Sequence, residues 1–452
     1  MPIFEGYFRR FSWPIALAML ALMAIGITAI WTVERAVDSR DVAGCTAKQA
    51  AFAVVGLGAF LGATVVNYRR VGQGSYALFA LTLFLLVAVL FCPARKGAHR
   101  WIQLGGPVQL QPSELAKLVF IVALAWYLRY RDSYRRLGGL IVPFAITLVP
   151  MGLILREDLG TSMLLLPTLL VMLLVAGARW RHLLIILVLG VVVLFGPVPR
   201  PVDEPLFERQ IDKYDAWQIG PFVRYKPREF RREDGSIDWS KRAVMPVSYA
   251  RCQIGEGPIF DLQPLSVAMI TLKGHSYQLA RVESWLRQED PRIRATAGFQ
   301  QHNSMLMLAA GRAAGQSDRA AMAEYLRMVP EDHNDFIFSV VGARWGFAGC
   351  LAVLVLYGII CLFGMDVATS TADAFGRLLA VGVVALLAAQ VFINVAMTVG
   401  LMPITGMTLP LVSYGGSSLV VNCLALGLLV NVGRRRPISL APPPFEFGGD
   451  GI

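Results

Sequence analysis

The chain is dominated by long apolar stretches that are separated by shorter polar or basic ones. A stretch of about 20 apolar residues is long enough to cross the hydrocarbon core of a bilayer as a helix. The pattern predicts ten such helices, near residues 15–33, 49–67, 75–93, 114–128, 140–155, 161–178, 182–198, 336–364, 376–399 and 408–432. The predicted fold class is therefore an all-α polytopic membrane protein.

One polar region, residues 199–335, is much longer than the others and also contains apolar pieces near 259–272 and 304–314. Because long structureless loops are uncommon, we expect partial, membrane-associated helices in it. The predicted organisation is seven membrane helices over 1–198, a large extracytoplasmic loop over 199–335, three membrane helices over 336–436, and a disordered cytoplasmic tail over 437–452.

Arginine clusters set the predicted orientation of the helices. They precede the first predicted helix and follow the second, fourth, sixth and tenth. With ten helices, all five clusters fall on the face that holds both termini, and membrane proteins keep excess Lys and Arg on the cytoplasmic side. We therefore expect both termini in the cytoplasm and the 199–335 loop outside.

Composition agrees with a membrane protein. Hydrophobic residues make up 56% of the chain and charged residues 16%, against about 25% charged residues in soluble domains. The net charge of +11 alone would fit a nucleic-acid-binding protein. No basic stripe with interleaved aromatic residues stands on a soluble domain, so nucleic acid is not an expected partner.

Charged residues at the mouths of predicted helices are the first candidates for chemistry. Glu114 and Lys117 follow Gln111 and lie one turn apart on one helical face. They form either a mutually neutralising pair or one wall of a substrate cavity. Asp158 precedes the next helix, which it or Thr161 can cap, and the helix dipole favours the carboxylate.

Two further polar groups lie in the 199–335 loop. Gln278 and Arg281 are three residues apart and share a helical face, which is either solvated or suited to a phosphate, since the planar guanidinium matches phosphate geometry. Asn334 can cap the eighth predicted helix, which would put Asp335 in its first turn. Asp335 is then either part of a helix terminus or an ionised general base.

The last candidate is an irregular apolar segment after Asn394. Residues 400–406 and 409–418 contain two prolines and several glycines, and they include Ser413 and Ser417. Irregular backbone at membrane depth is tolerated only inside protein or around a cavity. The segment therefore indicates a site or a tight crossing of helices.

Taken together, these clusters resemble a known family. The matching stretches are GAHRWIQLGG, QPSELAKL, EDLGTS, YQLARV, VPEDHNDFIFSVVG and INVAMTVGLMPITGMTLPLVSYGGSSL. They are similar to the SEDS (shape, elongation, division and sporulation) cell-wall polymerases of the RodA, FtsW and SpoVE type. This resemblance implies a peptidoglycan glycosyltransferase of the bacterial inner membrane that polymerises lipid II and releases undecaprenyl pyrophosphate. It also implies a class B penicillin-binding transpeptidase as partner, within the elongation or division complex.

The resemblance also implies residue roles. It puts the family's essential acid on Asp335, as general base. The substrate-binding residues that we expect are Gln111, Glu114, Lys117, Asp158, Gln278, Arg281, Ser413 and Ser417. No cofactor or protein metal site is expected, although a divalent cation such as Mg²⁺ can stabilise a leaving pyrophosphate.

The sequence departs from the family pattern after the base. Ala343 and Arg344 stand where the family usually has two acidic residues, and 309–315 replaces a glycine-rich run. By helical rise, Arg344 would lie about 13 Å inside a continuous eighth helix. Two alternative functions remain, a lipid II flippase and a weakly active, divergent scaffold of the cell-wall machinery. A flippase would place its ionisable residues at the midplane between related halves.

Overall fold

The computed structural model describes residues 11–36, 43–92, 100–105, 108–155, 158–195, 198–201, 214–219, 222–227, 250–252, 260–263, 281, 284–285, 288, 298–316 and 334–435. The chain divides into two compact units, Met1–His182 with Arg281–Ile452, and Leu183–Ala280. The predicted tail over 437–452 lies outside the described residues.

Helices make up most of the described chain. They are α1 (Trp13–Ala36), α2 (Cys45–Val65), α3 (Tyr68–Gln73), α4 (Ser75–Val89), α5 (Pro112–Leu128), α6 (Ile141–Leu155), α7 (Leu159–Ala176), α8 (Trp180–Phe195), α9 (Phe299–Ala310), α10 (Ile337–Thr369), α11 (Ala374–Thr398) and α12 (Gly416–Arg434). All ten predicted helices have a counterpart, and α3 and α9 are additional.

The all-α polytopic membrane fold is confirmed. Among the described residues, seven helical segments are long and apolar enough to cross a membrane, and α4 and the first part of α8 are shorter apolar helices. One predicted boundary is wrong, because the last helix starts at Gly416 and not near 408. Pro410 and the left-handed backbone of Leu411 (φ 67°) precede it, and neither conformation extends a helix.

Helix α11 lies at the centre of the larger unit, where α5, α7, α10 and α12 pack around it. Helix α12 also crosses α2 closely. A Cβ on Gly427 would lie 2.5 Å from the carbonyl oxygen of Phe60, and one on Gly56 would lie 3.0 Å from Cys423 Sγ. Small residues let helix backbones approach in a membrane, where van der Waals packing drives association.

Two antiparallel sheets accompany the helices. Strands β1 (Ile102–Gly105) and β2 (Val108–Leu110) form a hairpin before α5. The smaller unit contains a five-stranded sheet in the order β3-β7-β6-β5-β4, made of β3 (Val198–Pro201), β4 (Tyr214–Ile219), β5 (Phe222–Pro227), β6 (Ala250–Cys252) and β7 (Phe260–Gln263). The sequence predicts partial helices in the 199–335 loop. The described chain there has these strands up to 263 and a helix, α9, near its end.

Helix α10 is broken at Gly346, where the backbone (φ 65°, ψ −160°) is not helical. The turn at 311–316 fills the break. Phe347 N donates to Arg312 O at 2.8 Å, and Ala348 N donates to Ala313 O at 3.2 Å. A Cβ on Gly315 or on Gly346 would collide with the backbone of the opposite segment. Glycine at both positions therefore lets the turn replace the missing helical hydrogen bonds.

This break corrects the predicted position of Arg344. The depth of about 13 Å assumes one continuous helix, and α10 is not continuous at Gly346. Residues 347–369 alone rise about 34 Å, which exceeds the ~30 Å hydrocarbon core of a bilayer. Arg344 lies on the other side of the break, together with Asp335, and this geometry does not require it to be buried in hydrocarbon.

Candidate active site

The first part of α5 holds a buried ion pair. Lys117 Nζ lies 2.9 Å from Glu114 Oε1, and both side chains are almost completely buried. Lys117 Nζ also lies 3.5 Å from Gln390 Oε1, and Gln390 Nε2 donates to Thr408 O at 3.0 Å. The predicted pairing is therefore present, and it links α5, α11 and the irregular segment before α12.

Asp158 caps α7, as the sequence predicts. Its carboxylate accepts from Thr161 N at 3.1 Å and from Thr161 Oγ1 at 2.9 Å. Gln111 Nε2 approaches the same carboxylate at 3.4 Å. Ser417 Oγ accepts from Gln111 N at 3.3 Å and donates to Gln109 O at 2.8 Å. Three of the predicted site residues, Gln111, Asp158 and Ser417, are thus held together where α5, α7 and α12 begin.

Asp335 is not in the first turn of α10, and the predicted cap by Asn334 is wrong. The N-cap is Phe336, which makes no side-chain capping bond, and the helix begins at Ile337. Phe336 is fully buried, which anchors the chain just before the helix. Asn394 Nδ2 donates to Asp335 O at 2.9 Å. The Asp335 backbone is therefore fixed by α11 rather than by the hydrogen bonds of α10.

Gly406 lies next to two charged groups. A Cβ on this glycine would lie 3.2 Å from Arg281 Nη1 and 3.5 Å from Asp335 Oδ2. Its positive φ of 73° also disfavours any other residue. Met407 follows Gly406, and Asn394 Nδ2 donates to its carbonyl oxygen at 2.6 Å. One asparagine therefore positions both the segment with the carboxylate and the segment with the glycine.

The rest of the irregular segment is fixed by side chains from α9 and its neighbourhood. Gln301 Nε2 donates to Met397 O at 2.9 Å and to Met402 O at 2.7 Å. Gln288 Nε2 donates to Gly400 O at 2.8 Å. Ser413 is buried, and its Oγ accepts from the backbone N of Leu409 at 2.7 Å. The Ser413 hydroxyl thus stabilises a turn of this segment.

The structure groups most of the predicted residues, and it adds others. Arg281 lies with Asp335, whereas Gln278 lies outside the described residues. Sequence reasoning missed the roles of Gln390 and Gly406. Gln390 has a signal, since it is a polar residue within an apolar helix, where polar groups are rare. Gly406 has none, because its two neighbours come from distant parts of the chain.

The described residues contain no group of three or more His, Cys, Asp or Glu side chains that could hold a metal ion. The two charged groups beside Gly406 are the Asp335 carboxylate and the Arg281 guanidinium. A carboxylate can accept a proton, and a guanidinium can stabilise an oxyanion that carries developing charge.

Comparison with known proteins agrees with the resemblance of the motifs. The profile of the FtsW/RodA/SpoVE cell cycle proteins matches residues 11–198 and 257–437. The peptidoglycan glycosyltransferase RodA of Treponema pallidum is 31% identical, over 94% of this chain and 98% of its own. The stage V sporulation protein E of Bacillus subtilis is 28% identical, over 91% of this chain and 92% of its own.

Solved structures give the same result. A chain from a peptidoglycan synthase complex, solved to show how polymerization and crosslinking are coordinated, is 25% identical, with a TM-score of 0.66 over 95% of this chain and 99% of that chain. RodA, the rod shape determining protein of Thermus thermophilus, is 24% identical in its crystal structure. The TM-score is 0.58, over 94% of this chain and 97% of that chain, and the match supports the fold. The chain belongs to the FtsW/RodA/SpoVE family of cell cycle proteins.

Proposed function

We propose that this protein is a peptidoglycan glycosyltransferase of the bacterial inner membrane, which polymerises lipid II into glycan strands. The observation that carries the proposal is the placement of Asp335 and Arg281 together beside Gly406. A glycosyl transfer to a hydroxyl from a lipid pyrophosphate needs one group that accepts a proton and one that stabilises the departing oxyanion. These two side chains can supply both functions.

Asp335 acts as the general base in the proposed reaction. The O4–H bond of the acceptor sugar breaks and its proton moves to the Asp335 carboxylate, while O4 forms a bond to the anomeric carbon of the donor. The bond from that carbon to the pyrophosphate oxygen breaks, and its electron pair leaves with undecaprenyl pyrophosphate. A carboxylate is a weak base, so the proton moves late in the step. One carboxylate and one displacement imply inversion at the anomeric carbon.

Arg281 stabilises the leaving pyrophosphate in this proposal, and its substitution tests that role. We expect Arg281→Ala to lower polymerisation by about 10²–10³-fold, the usual loss for one preorganised oxyanion donor. Arg281→Lys should recover only part of the rate, because an ammonium lacks the planar fork of a guanidinium. Initial rates of glycan synthesis from labelled lipid II measure both. Arg312→Ala removes an exposed arginine and is the control. A wild-type rate for Arg281→Ala would exclude the role.

A class B penicillin-binding transpeptidase is the proposed partner. The synthase complex with a similar chain couples polymerization to crosslinking, and a transpeptidase performs the second of these reactions. The experiment that tests the function is polymerisation of labelled lipid II by the purified protein, alone and with candidate transpeptidases whose own chemistry is blocked by a β-lactam. Absence of glycan chains with every partner, together with movement of lipid II across vesicles, would favour a flippase.

The proposed orientation puts both termini in the cytoplasm and the active site outside. In a cysteine-free background we expect Arg312→Cys to react with a membrane-impermeant thiol reagent added to intact cells. Tyr130→Cys, between α5 and α6, should react only after the cells are permeabilised. Both positions are exposed in the structure, so the labelling pattern reports sidedness. Labelling of Tyr130→Cys alone in intact cells would reverse the orientation.

A further inference from the structure

The 403–408 segment, which contains Gly406, is largely buried and has no regular secondary structure. Within the described part of the chain, none of its backbone groups forms a hydrogen bond with another backbone group. Buried backbone N–H and C=O groups nevertheless need partners. The position of this segment therefore depends on side chains that bind its backbone.

Two side-chain amides of α11 bind the end of this segment. Gln390 and Asn394 are one helical turn apart, so they share a face of α11, and both are almost completely buried. Gln390 Nε2 donates to Thr408 O at 3.0 Å, and Asn394 Nδ2 donates to Met407 O at 2.6 Å. One face of α11 thus holds two successive carbonyls of the segment.

Asn394 also holds the segment that carries the carboxylate. Its Nδ2 has two hydrogens, and the second acceptor is Asp335 O at 2.9 Å. The Asn394 Oδ1 is buried and has no hydrogen-bond partner among the described residues. Such an oxygen is costly, and an apolar side chain of the same shape would avoid the cost. The asparagine is therefore better explained by the two segments that its nitrogen connects than by stability alone.

Gln390 connects the same face of α11 to the buried ion pair of α5. Its Oε1 lies 3.5 Å from Lys117 Nζ, which lies 2.9 Å from Glu114 Oε1. The same side chain donates to Thr408 O through its nitrogen. The contacts therefore run without interruption from the ion pair, through α11, to the backbone beside Gly406.

These contacts determine where the two charged groups of the site lie. Gly406 is next to the Arg281 guanidinium and the Asp335 carboxylate. Asn394 fixes the backbone of Asp335 and, together with Gln390, the backbone that follows Gly406. Both hydrogens of the Asn394 amide are used by backbone carbonyls, so this side chain supplies geometry rather than proton transfer.

We propose that Asn394 and Gln390 are positioning residues for glycosyl transfer. They fix the 403–408 segment, and through it the separation between the Asp335 carboxylate and the Arg281 guanidinium. The inference rests on the proposed function and deepens it, because it assigns the geometry of the site to two side chains that touch neither the substrate nor the reacting atoms.

An asparagine elsewhere in the chain provides a matched control. Asn431 of α12 is also fully buried, and its Nδ2 donates to two carbonyls near the end of α2, Ala63 O at 2.7 Å and Val66 O. Its Oδ1 likewise has no hydrogen-bond partner among the described residues. Asn431 lies at the opposite end of α12 from Ser417. Asn431→Leu therefore removes the same kind of interactions as Asn394→Leu, but away from the site.

The test compares the initial rates of glycan synthesis from labelled lipid II, with a β-lactam-blocked transpeptidase partner, and the thermal unfolding of each protein in detergent. We expect Asn394→Leu to lower kcat about tenfold or more, because a displacement of about 1 Å can cost about 10²-fold. The KM should stay unchanged, since no contact with substrate is removed. Asn431→Leu should keep the wild-type kcat. Both variants should shift Tm by similar amounts, because they lose equivalent hydrogen bonds.

The loss should also depend on the base through which Asn394 acts. In an Asp335→Asn background, Asn394→Leu should cause little further loss, because the effects of residues that act as one unit do not add. Gln390→Met should lower kcat with the same dependence on Asp335. It decides the test if Asn394→Leu does not fold.

Three outcomes would overturn the inference while leaving the proposed function intact. The first is a kcat for Asn394→Leu equal to that of Asn431→Leu. The second is a raised KM with an unchanged kcat, which would indicate contact with substrate. The third is a full further loss in the Asp335→Asn background, which would indicate a role independent of the base. Absence of glycan synthesis by the wild type would instead contradict the proposed function, and the inference with it.

Discussion

Asp335→Asn is expected to lower glycan polymerisation by about two orders of magnitude or more, because general-base catalysis contributes roughly 10²–10⁴-fold. Asparagine has nearly the same size but cannot accept the proton. Since Phe336 and not Asp335 is the N-cap of α10, the substitution removes no capping side chain. The bond from Asn394 to the Asp335 carbonyl is also retained, so expression and partner binding should be unchanged.

The measurement is the amount and length of glycan chains made from lipid II, with a transpeptidase partner blocked by a β-lactam. Asp366→Asn, at an exposed carboxylate of the same helix, is the matched control and should polymerise normally. Asp335→Glu should be partly or wholly inactive, because a displacement of about 1 Å can cost about 10²-fold. Near-normal chains from Asp335→Asn would exclude the catalytic assignment and favour the flippase or scaffold alternatives.

Lys117→Met is expected to reduce the free energy of unfolding by about 3–5 kcal/mol, because it leaves the buried carboxylate of Glu114 without its counter-ion. Glu114 Oε2 has no hydrogen-bond partner in the described structure, which makes the loss of Lys117 more costly. The double variant Glu114→Gln/Lys117→Met should recover most of the stability, since replacing both members of a buried ion pair is often neutral. Thermal unfolding of the purified protein in detergent measures all three. Equal stability of Lys117→Met and wild type would contradict a buried pair.

Activity of the double variant then separates the two interpretations of this pair. If Glu114 and Lys117 only neutralise each other within the helix bundle, the purified double variant should polymerise lipid II at the wild-type rate. If Lys117 or Glu114 also contacts substrate, the double variant should be folded and slow. Because the family resemblance implies that both residues bind substrate, we expect the second result.

The positions of the helices were predictable, since apolar stretches of sufficient length leave few alternatives in a membrane. The capping of α7 by Asp158 and the Glu114–Lys117 pair were predictable too, because both depend on residues three apart. Features that need distant segments were not. The placement of Arg281 beside Asp335 depends on Gly406, and the position of Asp335 before α10 depends on Asn394 and on the burial of Phe336.

The interruption of α10 was also not predictable from periodicity. Apart from Arg344, its sequence is largely apolar on both sides of Gly346. The backbone leaves the helix there because the 311–316 turn supplies replacement hydrogen bonds. The five-stranded sheet of the smaller unit was missed for a related reason. Its strands are three to six residues long and separated in the sequence, and long-range pairing rather than local pattern defines them.

The break at Gly346 has a consequence for how the chain enters the membrane during synthesis. The translocon selects segments by their summed transfer free energy, and an arginine at the centre of a span costs about 2.5–3.5 kcal/mol. Arg344 would impose part of this cost if 337–369 were inserted as one unit. Residues 347–369 contain one charged side chain, Asp366, near the cytoplasmic end proposed for them. They can therefore partition into the bilayer without that cost, whereas the segment with Asp335 is held by Asn394 of α11 in the folded protein.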